Sequence, residues 1–443
     1  MGLDIRNSGD VFLVSDTAQT NAETAQTASF KALEFDEAST ITNNDNRVNN
    51  QSDKTGEVEP TEIQTQDKDA TGTLTQAKAT PDGVGWAMRF LIGAASSSTV
   101  GGTVERHIFK STSYPANPAY FTAIHRKGGS GGSPADLRLN YGLGLNTVSL
   151  AFAKGEFASL ALGVLGTGRN DDLKTHEVIS GLDNATTLVV GAEILDDVFA
   201  ADSVIIWADQ DGDGQYETPV EIVSYNQPTL TFTITSLGGA GATINYRASY
   251  YRDHTEAGYG WADLSAPPAV ATEFKLKAAN SQIIVGGRYT EPGGVPTFTG
   301  GQVAGCEIEN LTWEWNWNGE IGKCWRQGSV EEDFATSVDL KDPLQTIEMT
   351  RRVRDYLMQA NFSANTPLGL YIDAVGEEID GTQPGELFHV KLFFPKVGIL
   401  ANPLQVSDTR WVEAGSLQVL KDTSGDDHPT VICQVQNEVA AYA

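Results

Sequence analysis

Leu311-Thr312-Trp313-Glu314-Trp315-Asn316-Trp317-Asn318-Gly319 is the stretch of the chain that decides its fold class. Large apolar side chains alternate with polar ones, which is the pattern of a β-strand with one buried face. The dipeptide Asn-Gly favours a type I′ turn, because both central residues of that turn take a positive φ. We therefore predict a strand that turns at Asn318-Gly319 and returns as its partner over residues 320–325.

The same alternation continues outward along the chain. Apolar residues alternate from Val148 to Phe152, the chain turns at Lys154-Gly155, and apolar residues return from Phe157 to Leu162. The whole sequence has 45 Gly and 17 Pro but only 4 Met. This composition is typical of short strands joined by turns, so we expect a mainly β protein.

Two short helices interrupt the strands in this prediction. Pro81-Asp82 begins a segment with apolar residues at helical spacing that ends near Gly93. Asp342-Pro343 and Gln345 have the pattern of a helix N-cap, a first-turn proline and a capping-box partner. A helical face through Met349, Val353, Leu357 and Ala360 would follow, with the arginines around Arg352 exposed to solvent.

The region from residue 181 to residue 250 differs in charge from the rest of the chain. It holds ten Asp and Glu residues against Arg247 alone, and its β-like runs are separated by turn residues. We predict an inserted acidic β-domain over residues 181–255, external to the main body. The main domain then consists of residues 1–180 and 256–443.

The chain as a whole is acidic, with 58 Asp plus Glu, 30 Lys plus Arg and a net charge of -28. A surface that neutralises nucleic-acid phosphates needs the opposite balance, so specific DNA binding is not expected. The sequence begins without a secretory signal and has no apolar run of about 18 residues, which predicts synthesis in the cytoplasm and no membrane span.

One acidic run offers a candidate metal site. Asp209, Asp211 and Asp213 alternate with glycines at 212 and 214, and Glu217 follows, which is a way to place carboxylates around calcium. An EF-hand would need Glu at position 220, which is Val220. The run is also the pattern of an acidic Asp-Gly hairpin turn, and both interpretations stay open.

Residues 43–80 form a long polar segment with few large apolar side chains. Val48, Val58, Ile63 and Leu74 are its main apolar positions, and Asn46 begins its central part. Such a segment cannot form a core of its own, so we expect either a protruding β-hairpin or a disordered linker.

The order of these features resembles the major tail tube proteins of long-tailed bacteriophages. The resemblance covers residues 25–180 and 260–440. It rests on the polar hairpin and three further stretches: Ala79-Thr80-Pro81-Asp82-Gly83-Val84-Gly85-Trp86, Pro367-Leu368-Gly369-Leu370-Tyr371-Ile372 and Phe388-His389-Val390-Lys391-Leu392-Phe393-Phe394-Pro395.

For that family the resemblance implies a β-sandwich or half-barrel flanked by a helix. Six copies would close a ring, or three if the tube fold is duplicated, and the rings would stack into a hollow tube. The segment 43–80 would contact the next ring through Asn46, Val48, Val58, Ile63 and Leu74. The implied partners are further copies of the chain and the tail terminator, tape measure and tail tip proteins, with DNA passing through the lumen.

Two other classes of function compete with this interpretation. A carbohydrate-binding or hydrolytic β-protein would use Trp313, Trp315 and Trp317 to line a glycan groove, with paired acids for catalysis. A capsid decoration or cell-surface β-protein would use the acidic loop for structural calcium. No pair of carboxylates and no pair of histidines stands out in the sequence, so we expect a structural protein without enzymatic activity and without a cofactor other than calcium.

Overall fold

The computed structural model describes residues 11–26, 29–49, 63–111, 119–127, 136–172, 174–191, 204–251, 274–304, 307–323, 333–379, 385–407, 410–423 and 428–442. Within these ranges the protein is mainly antiparallel β-structure with two short α-helices, which confirms the predicted fold class. The chain divides into two compact units. The larger holds Val14–Ala123, Asn140–Arg169 and Val270–Ala443, and the smaller holds Met1–Leu13, Ile124–Leu139 and Asn170–Ala269.

The strands are numbered in chain order. The first part of the chain contains β1 Val11–Ser15, β2 Phe30–Ala32, β3 Thr40–Asn49, β4 Ile63–Gln76, β5 Ser96–Gly101, β6 Val104–Lys110, β7 Tyr120–Lys127, β8 Asp136–Ala153, β9 Ser159–Gly166 and β10 Asn170–Asp172. The insertion contains β11 Lys174–Leu182, β12 Thr187–Val189, β13 Ile205–Asp209, β14 Thr218–Pro219, β15 Ile222–Asn226, β16 Thr231–Ile234 and β17 Thr243–Tyr251. The last part contains β18 Ser281–Thr290, β19 Thr297–Thr299, β20 Gln302–Val303, β21 Ile308–Asn316, β22 Glu320–Gly322, β23 Ser337–Asp339, β24 Leu344–Arg352, β25 Leu368–Glu378, β26 Leu387–Ala401, β27 Leu404–Ser407, β28 Arg410–Val419 and β29 Ile432–Asn437. Within the described ranges the helices are α1 Pro81–Leu91 and α2 Leu357–Ala364, with one-turn 3-10 helices at Gln227–Thr229, Ala278–Asn280 and Pro292–Gly294.

The larger unit has one extended antiparallel sheet with two limbs that share β26. The first limb runs β5, β6, β29, β26, β25 and β18, and β19 and β20 pair with the outer part of β18. The second limb runs β3, β4, β9, β8, β21, β24 and β28, and then the last residues of β26 together with β27. β26 reaches both limbs because it is 15 residues long.

The core of the larger unit lies between these limbs. Trp313 and Trp315 on β21 have no exposed surface, and Trp317 is buried just beyond the strand. The Trp313 ring meets the ring of Phe394 on β26 edge to face, with 5.8 Å between the ring centroids. The alternation in the opening stretch therefore marks the face of a strand that packs against the other limb, as the sequence predicts.

Helix α1 closes one side of this core. The Thr80 hydroxyl accepts a hydrogen bond from the Gly83 N–H at 3.0 Å, which caps the helix, and Pro81 occupies its first turn. The Trp86 indole donates a hydrogen bond to the Ser15 carbonyl at 3.0 Å and is fully buried. The predicted helix after Pro81 is confirmed, and so is the hairpin around Gly155, where β8 pairs with β9.

The predicted helix from Asp342 is wrong over most of its length. Residues 344–352 form strand β24, and only the short helix α2 follows. Apolar residues in this segment fit a helical period as well as a period of two. β21 and β28 pair with β24 on its two sides, and these hydrogen bonds decide between the periods. Arg351 consequently points into the protein, where a solvated helix face was expected.

The predicted return of the chain after Asn318-Gly319 is also wrong. β22 pairs with β23, while β21 pairs with β8 and β24. Asn318 has a φ of 49°, but Gly319 does not adopt a positive φ, so the turn is not of type I′. Backbone N–H groups of Trp317 and Gly319 instead donate to the carbonyl and side-chain oxygens of Asn146, which direct the chain away from β21.

The smaller unit contains a β-sandwich of its own. A sheet in the order β11, β17, β13, β14 packs against a sheet in the order β12, β16, β15. Their shared core includes Leu188, Ile206, Phe232 and Tyr246. Strand β11 starts at Lys174, ahead of the predicted boundary at 181, and pairs along its whole length with β17, so the insertion leaves and rejoins the chain at neighbouring points.

Candidate functional site: an assembly surface and an acidic loop

The side of the second limb that points away from the core carries small polar side chains. We call this surface the polar face. It comprises Thr71 and Thr73 on β4, Ala161 and Gly163 on β9, Thr147 and Ser149 on β8, Thr312 and Glu314 on β21, Thr346 and Glu348 on β24, and Ser416 and Gln418 on β28. All of them are exposed or partly exposed.

The polar face combines hydroxyl groups with negative charge. Its only charged positions are Glu314 and Glu348, and Ser416 donates a hydrogen bond to Glu348 at 2.7 Å. Arg352 lies on the same side at the end of β24, and its charge is paired with Glu309 at 2.7 Å. A phosphate chain that passes over the listed positions meets hydroxyl groups and carboxylates, so the face suits contact with a polyanion without binding.

Both lateral ends of the second limb are open. Within the described residues β3 pairs only with β4, and β27 pairs only with β28. Each end strand therefore has backbone N–H and C=O groups that point away from the sheet. Natural sheets protect such edges by charge, by covering them or by pairing them with another chain.

Strands β3 and β4, which hold most of the described residues of the polar segment 43–80, pair as the two arms of the predicted protruding hairpin. β3 and β4 pair as far as Asn49 opposite Ile63, whereas β4 pairs with β9 only from Ala70 to Gln76. The base of this arm is fixed near Lys68, whose N–H donates to the Asp333 carbonyl at 2.7 Å. Residues 63–67 of β4 thus extend past the sheet with β3 as their partner.

The predicted contact residues of this hairpin divide into three groups. Asn46, Val48 and Ile63 are exposed on the arm. Leu74 has no exposed surface and lies in the subunit's own core, so it is not available as a surface contact. Val58 lies outside the described residues. Hydrogen bonds from Lys323 and Asn46 lower the pKa of Asp67, which keeps this side of the arm charged.

The acidic loop brings together the four carboxylates that the sequence nominates. Oxygen atoms of Asp209, Asp211, Asp213 and Glu217 all lie within 4.8 Å of one another. Asp209 is buried at the end of β13 and accepts backbone hydrogen bonds from Gly212 at 2.8 Å and Gly214 at 3.1 Å. Converging carboxylate oxygens are the donors that calcium prefers.

The same loop also satisfies the alternative interpretation. Gly212 and Gly214 adopt φ values of 77° and 89°, as turn glycines do. Asp213 accepts a hydrogen bond from the Gln215 N–H at 2.8 Å, a local turn that needs no ion. The geometry fits calcium and also fits an Asp-Gly turn, and calcium binding stays a prediction.

A buried ionic network surrounds Arg351, where a solvated helix face was predicted. This side chain has no exposed surface, and its Nη2 lies 2.9 Å from Glu307 while its Nη1 lies 3.1 Å from Asp355 and 3.7 Å from Glu413. Hydrogen bonds from Arg351 hold the pKa of Asp355 at about 2, and burial raises the pKa of Glu413. The network joins β21, β24 and β28 just before α2. The one sign of this burial in the sequence is that Arg351 alternates with the apolar Ile347 and Met349 along β24.

The tryptophan strip does not form a groove. The indole rings of Trp313, Trp315 and Trp317 are buried in the core, so they are not available to stack on a sugar at the surface. The glycan-binding alternative loses the residues that the sequence assigned to it.

No protein-family model matches the chain, and no curated protein matches it. The structure itself describes a mainly antiparallel two-limbed body with an open polar face, and a smaller β-sandwich with an acidic loop. Neither helix in the described ranges has the length and apolarity that a membrane-crossing helix requires.

Proposed function

We propose that this protein is a structural subunit that assembles into stacked rings and forms the tail tube of a long-tailed bacteriophage. The observation that carries the proposal is the polar face. A broad sheet surface of hydroxyl groups and two glutamates, with Arg352 at its margin paired to Glu309, fits the wall of a conduit through which DNA moves without binding.

The open edges supply the means of closing a ring. β3 and β27 lie at opposite ends of the same limb, so pairing β27 of one copy with β3 of the next continues the sheet from subunit to subunit. Such a contact joins two different surfaces, and a contact of this kind closes into a ring when the rotation between copies allows it. Closure pairs every lateral edge and carries the polar face around the ring. The ring holds six copies in this proposal, with three as the alternative for a duplicated fold.

The hairpin of β3 and β4 supplies the contact between rings. The described outer parts of its two strands carry polar side chains and the apolar Val48 and Ile63, which are about half exposed or more. Two isolated strands are marginally stable in water, and a neighbouring ring would order and bury them. Tail terminator, tape measure and tail tip proteins are the further partners in this proposal, and the virion tail is the location.

Negative-stain microscopy of the purified chain tests the proposal, because the wild-type protein should form rings and hollow tubes. A shortened variant sharpens the test. Asp45 lies opposite Lys68 in the ladder, so an Asn-Gly turn between these two residues removes the arm and keeps the core strand with Leu74. We expect this variant to fold and form rings that do not stack.

A second candidate function remains for comparison, a capsid decoration or cell-surface β-protein whose acidic loop binds calcium. The convergence of Asp209, Asp211, Asp213 and Glu217 favours it. Discrete monomers that bind capsids or cells would support that function and count against a tube subunit.

A further inference from the structure

The hairpin of β27 and β28 ends in an exposed apolar cluster. Val406 lies opposite Trp411 and Leu404 lies opposite Glu413, so Leu404, Val406 and Trp411 share one side of the hairpin. Their exposed fractions are 52%, 63% and 59%. We call these three residues the apolar tip. Single exposed apolar residues are ordinary, but a cluster of three on an unpaired edge marks a contact site.

The apolar tip lies on the side of the sheet that faces the core, but it extends past the residues that form that core. On β28 the residues that follow Trp411 on the same side are Glu413, Gly415 and Leu417, and all three are buried. The neighbouring strand β24 ends opposite Val412. Within the described residues no second layer covers the hairpin past that point, which leaves core-type side chains in solvent.

Hydrogen bonds at its base hold the β27–β28 hairpin in place. Asn402 donates a hydrogen bond to Glu413 at 3.3 Å, and the Ala414 N–H donates to the Pro403 carbonyl at 3.1 Å. The Val353 N–H donates to the Trp411 carbonyl at 3.0 Å, which fixes the root of the tip beside α2. A contact surface that is already fixed loses little conformational entropy when it docks.

We propose that the apolar tip docks onto a second copy of this chain and is the main anchor of the contact between neighbouring subunits. This inference rests on the proposed ring assembly and names the residues that stabilise it. A second copy fits the tip for two reasons. The edge of β27 beside the tip needs a strand partner, and β3 of another copy offers an open edge at the opposite end of the same limb. When the tip docks at β3, its apolar side chains also meet the core-facing side of the next copy's sheet.

The side chains of the tip suit this role. Tryptophan is enriched among interface hot spots, and the contacts that surround a hot spot serve to exclude water from it. None of the positions from Leu404 to Ser407 is charged, whereas exposed edge strands that stay unpaired usually carry a charge or a proline. β27 itself therefore has neither a charge nor a proline that would discourage pairing.

Assembly of the full-length protein tests the inference through Val406→Glu and Trp411→Glu. Both side chains are more than half exposed, so the variants should keep the wild-type circular dichroism spectrum and melting temperature. We expect the protein concentration needed for rings to rise at least about tenfold, because each variant buries a charge in the contact. Val295→Glu is the matched control. Its side chain is 47% exposed in a turn away from this hairpin, and it should assemble as the wild type does.

Hydroxyl-radical footprinting supplies a second measurement that needs no substitution. Trp411 should be oxidised rapidly in dissociated subunits and protected in rings. Unchanged assembly by both glutamate variants, or full oxidation of Trp411 within rings, overturns the inference and leaves the tube proposal standing. A wild-type chain that forms no rings at any concentration overturns both.

Discussion

Replacing Arg351 by methionine tests whether the buried ionic network supports the root of the β27–β28 hairpin. The arginine contacts Glu307, Asp355 and Glu413, and both glutamates are buried with it. Methionine fills much of the same volume and removes the positive charge that lies 3.7 Å from Glu413. Glu307 retains Arg354, which lies 3.0 Å away, but the side chain of Arg354 is 73% exposed to solvent.

The size of the effect follows from burial. Removing one partner of a buried charge pair costs about 3–5 kcal/mol of folding stability, because the remaining charge stays desolvated without compensation. Breaking an exposed pair costs at most about 1 kcal/mol. We therefore expect Arg351→Met to lower the free energy of unfolding by about 3–5 kcal/mol. The matched control, Arg354→Met, should lower it by about 1 kcal/mol or less.

Urea unfolding followed by tryptophan fluorescence measures both variants, since most of the buried indoles lie in the larger unit. The double variant Arg351→Met with Glu413→Gln should recover part of the loss, because the buried carboxylate that has lost Arg351 is then replaced by a neutral amide. A loss for Arg351→Met no larger than that of Arg354→Met would refute the assignment of Arg351 to a buried network.

The remaining predictions concern pH, calcium, the helix cap and the polar face. The folded-state pKa of Asp355 is about 2, below the ordinary value of about 3.9, so its contribution to stability is present above pH 4 and is lost as the pH falls towards 2. Asp355→Asn should lower stability at neutral pH and flatten the acid limb of a urea-midpoint profile. Calcium should raise the melting temperature of the smaller unit, and Asp209→Asn should abolish that rise in calorimetry; equal melting curves with calcium and with chelator would leave the Asp-Gly turn as the interpretation. Thr80→Ala should cost about 1 kcal/mol in urea unfolding because it removes the N-cap of α1. Tubes of Glu314→Lys with Glu348→Lys should retain short duplex DNA during gel filtration at low salt, whereas wild-type tubes should release it; equal retention would remove the polar face from the conduit wall.

Local signals in the sequence predicted the elements that depend on neighbours along the chain. The cap at Thr80 with the proline after it located α1, and the alternation on both sides of Gly155 located β8 and β9. The alternation in residues 311–317 identified the buried face of β21. Each of these features is decided within about ten residues, so sequence patterns were sufficient.

Long-range pairing decided what the sequence did not predict. The segment with Met349 satisfies a helical and a strand period, and only the flanking strands β21 and β28 distinguish the two. The return after Asn318 failed because Asn146, far away in the chain, accepts the hydrogen bonds that set the turn. Contacts between distant residues are not encoded in local propensity.

The candidate site was predictable to a similar degree. Carboxylates at alternate positions around glycines predicted that Asp209, Asp211 and Asp213 converge. The polar segment 43–80 predicted either a protruding hairpin or a disordered linker, and strands β3 and β4 favour the hairpin. The apolar tip was not predictable, because whether Trp411 is covered depends on where the neighbouring strand ends.

Electron cryomicroscopy of assembled wild-type protein tests the central claim most directly, because it locates the polar face in the assembly. The account predicts hollow tubes in which Glu314 and Glu348 face the lumen and β27 of each subunit pairs with β3 of its neighbour. Tubes with these glutamates on the outer surface, or a protein that stays monomeric at high concentration, would contradict it.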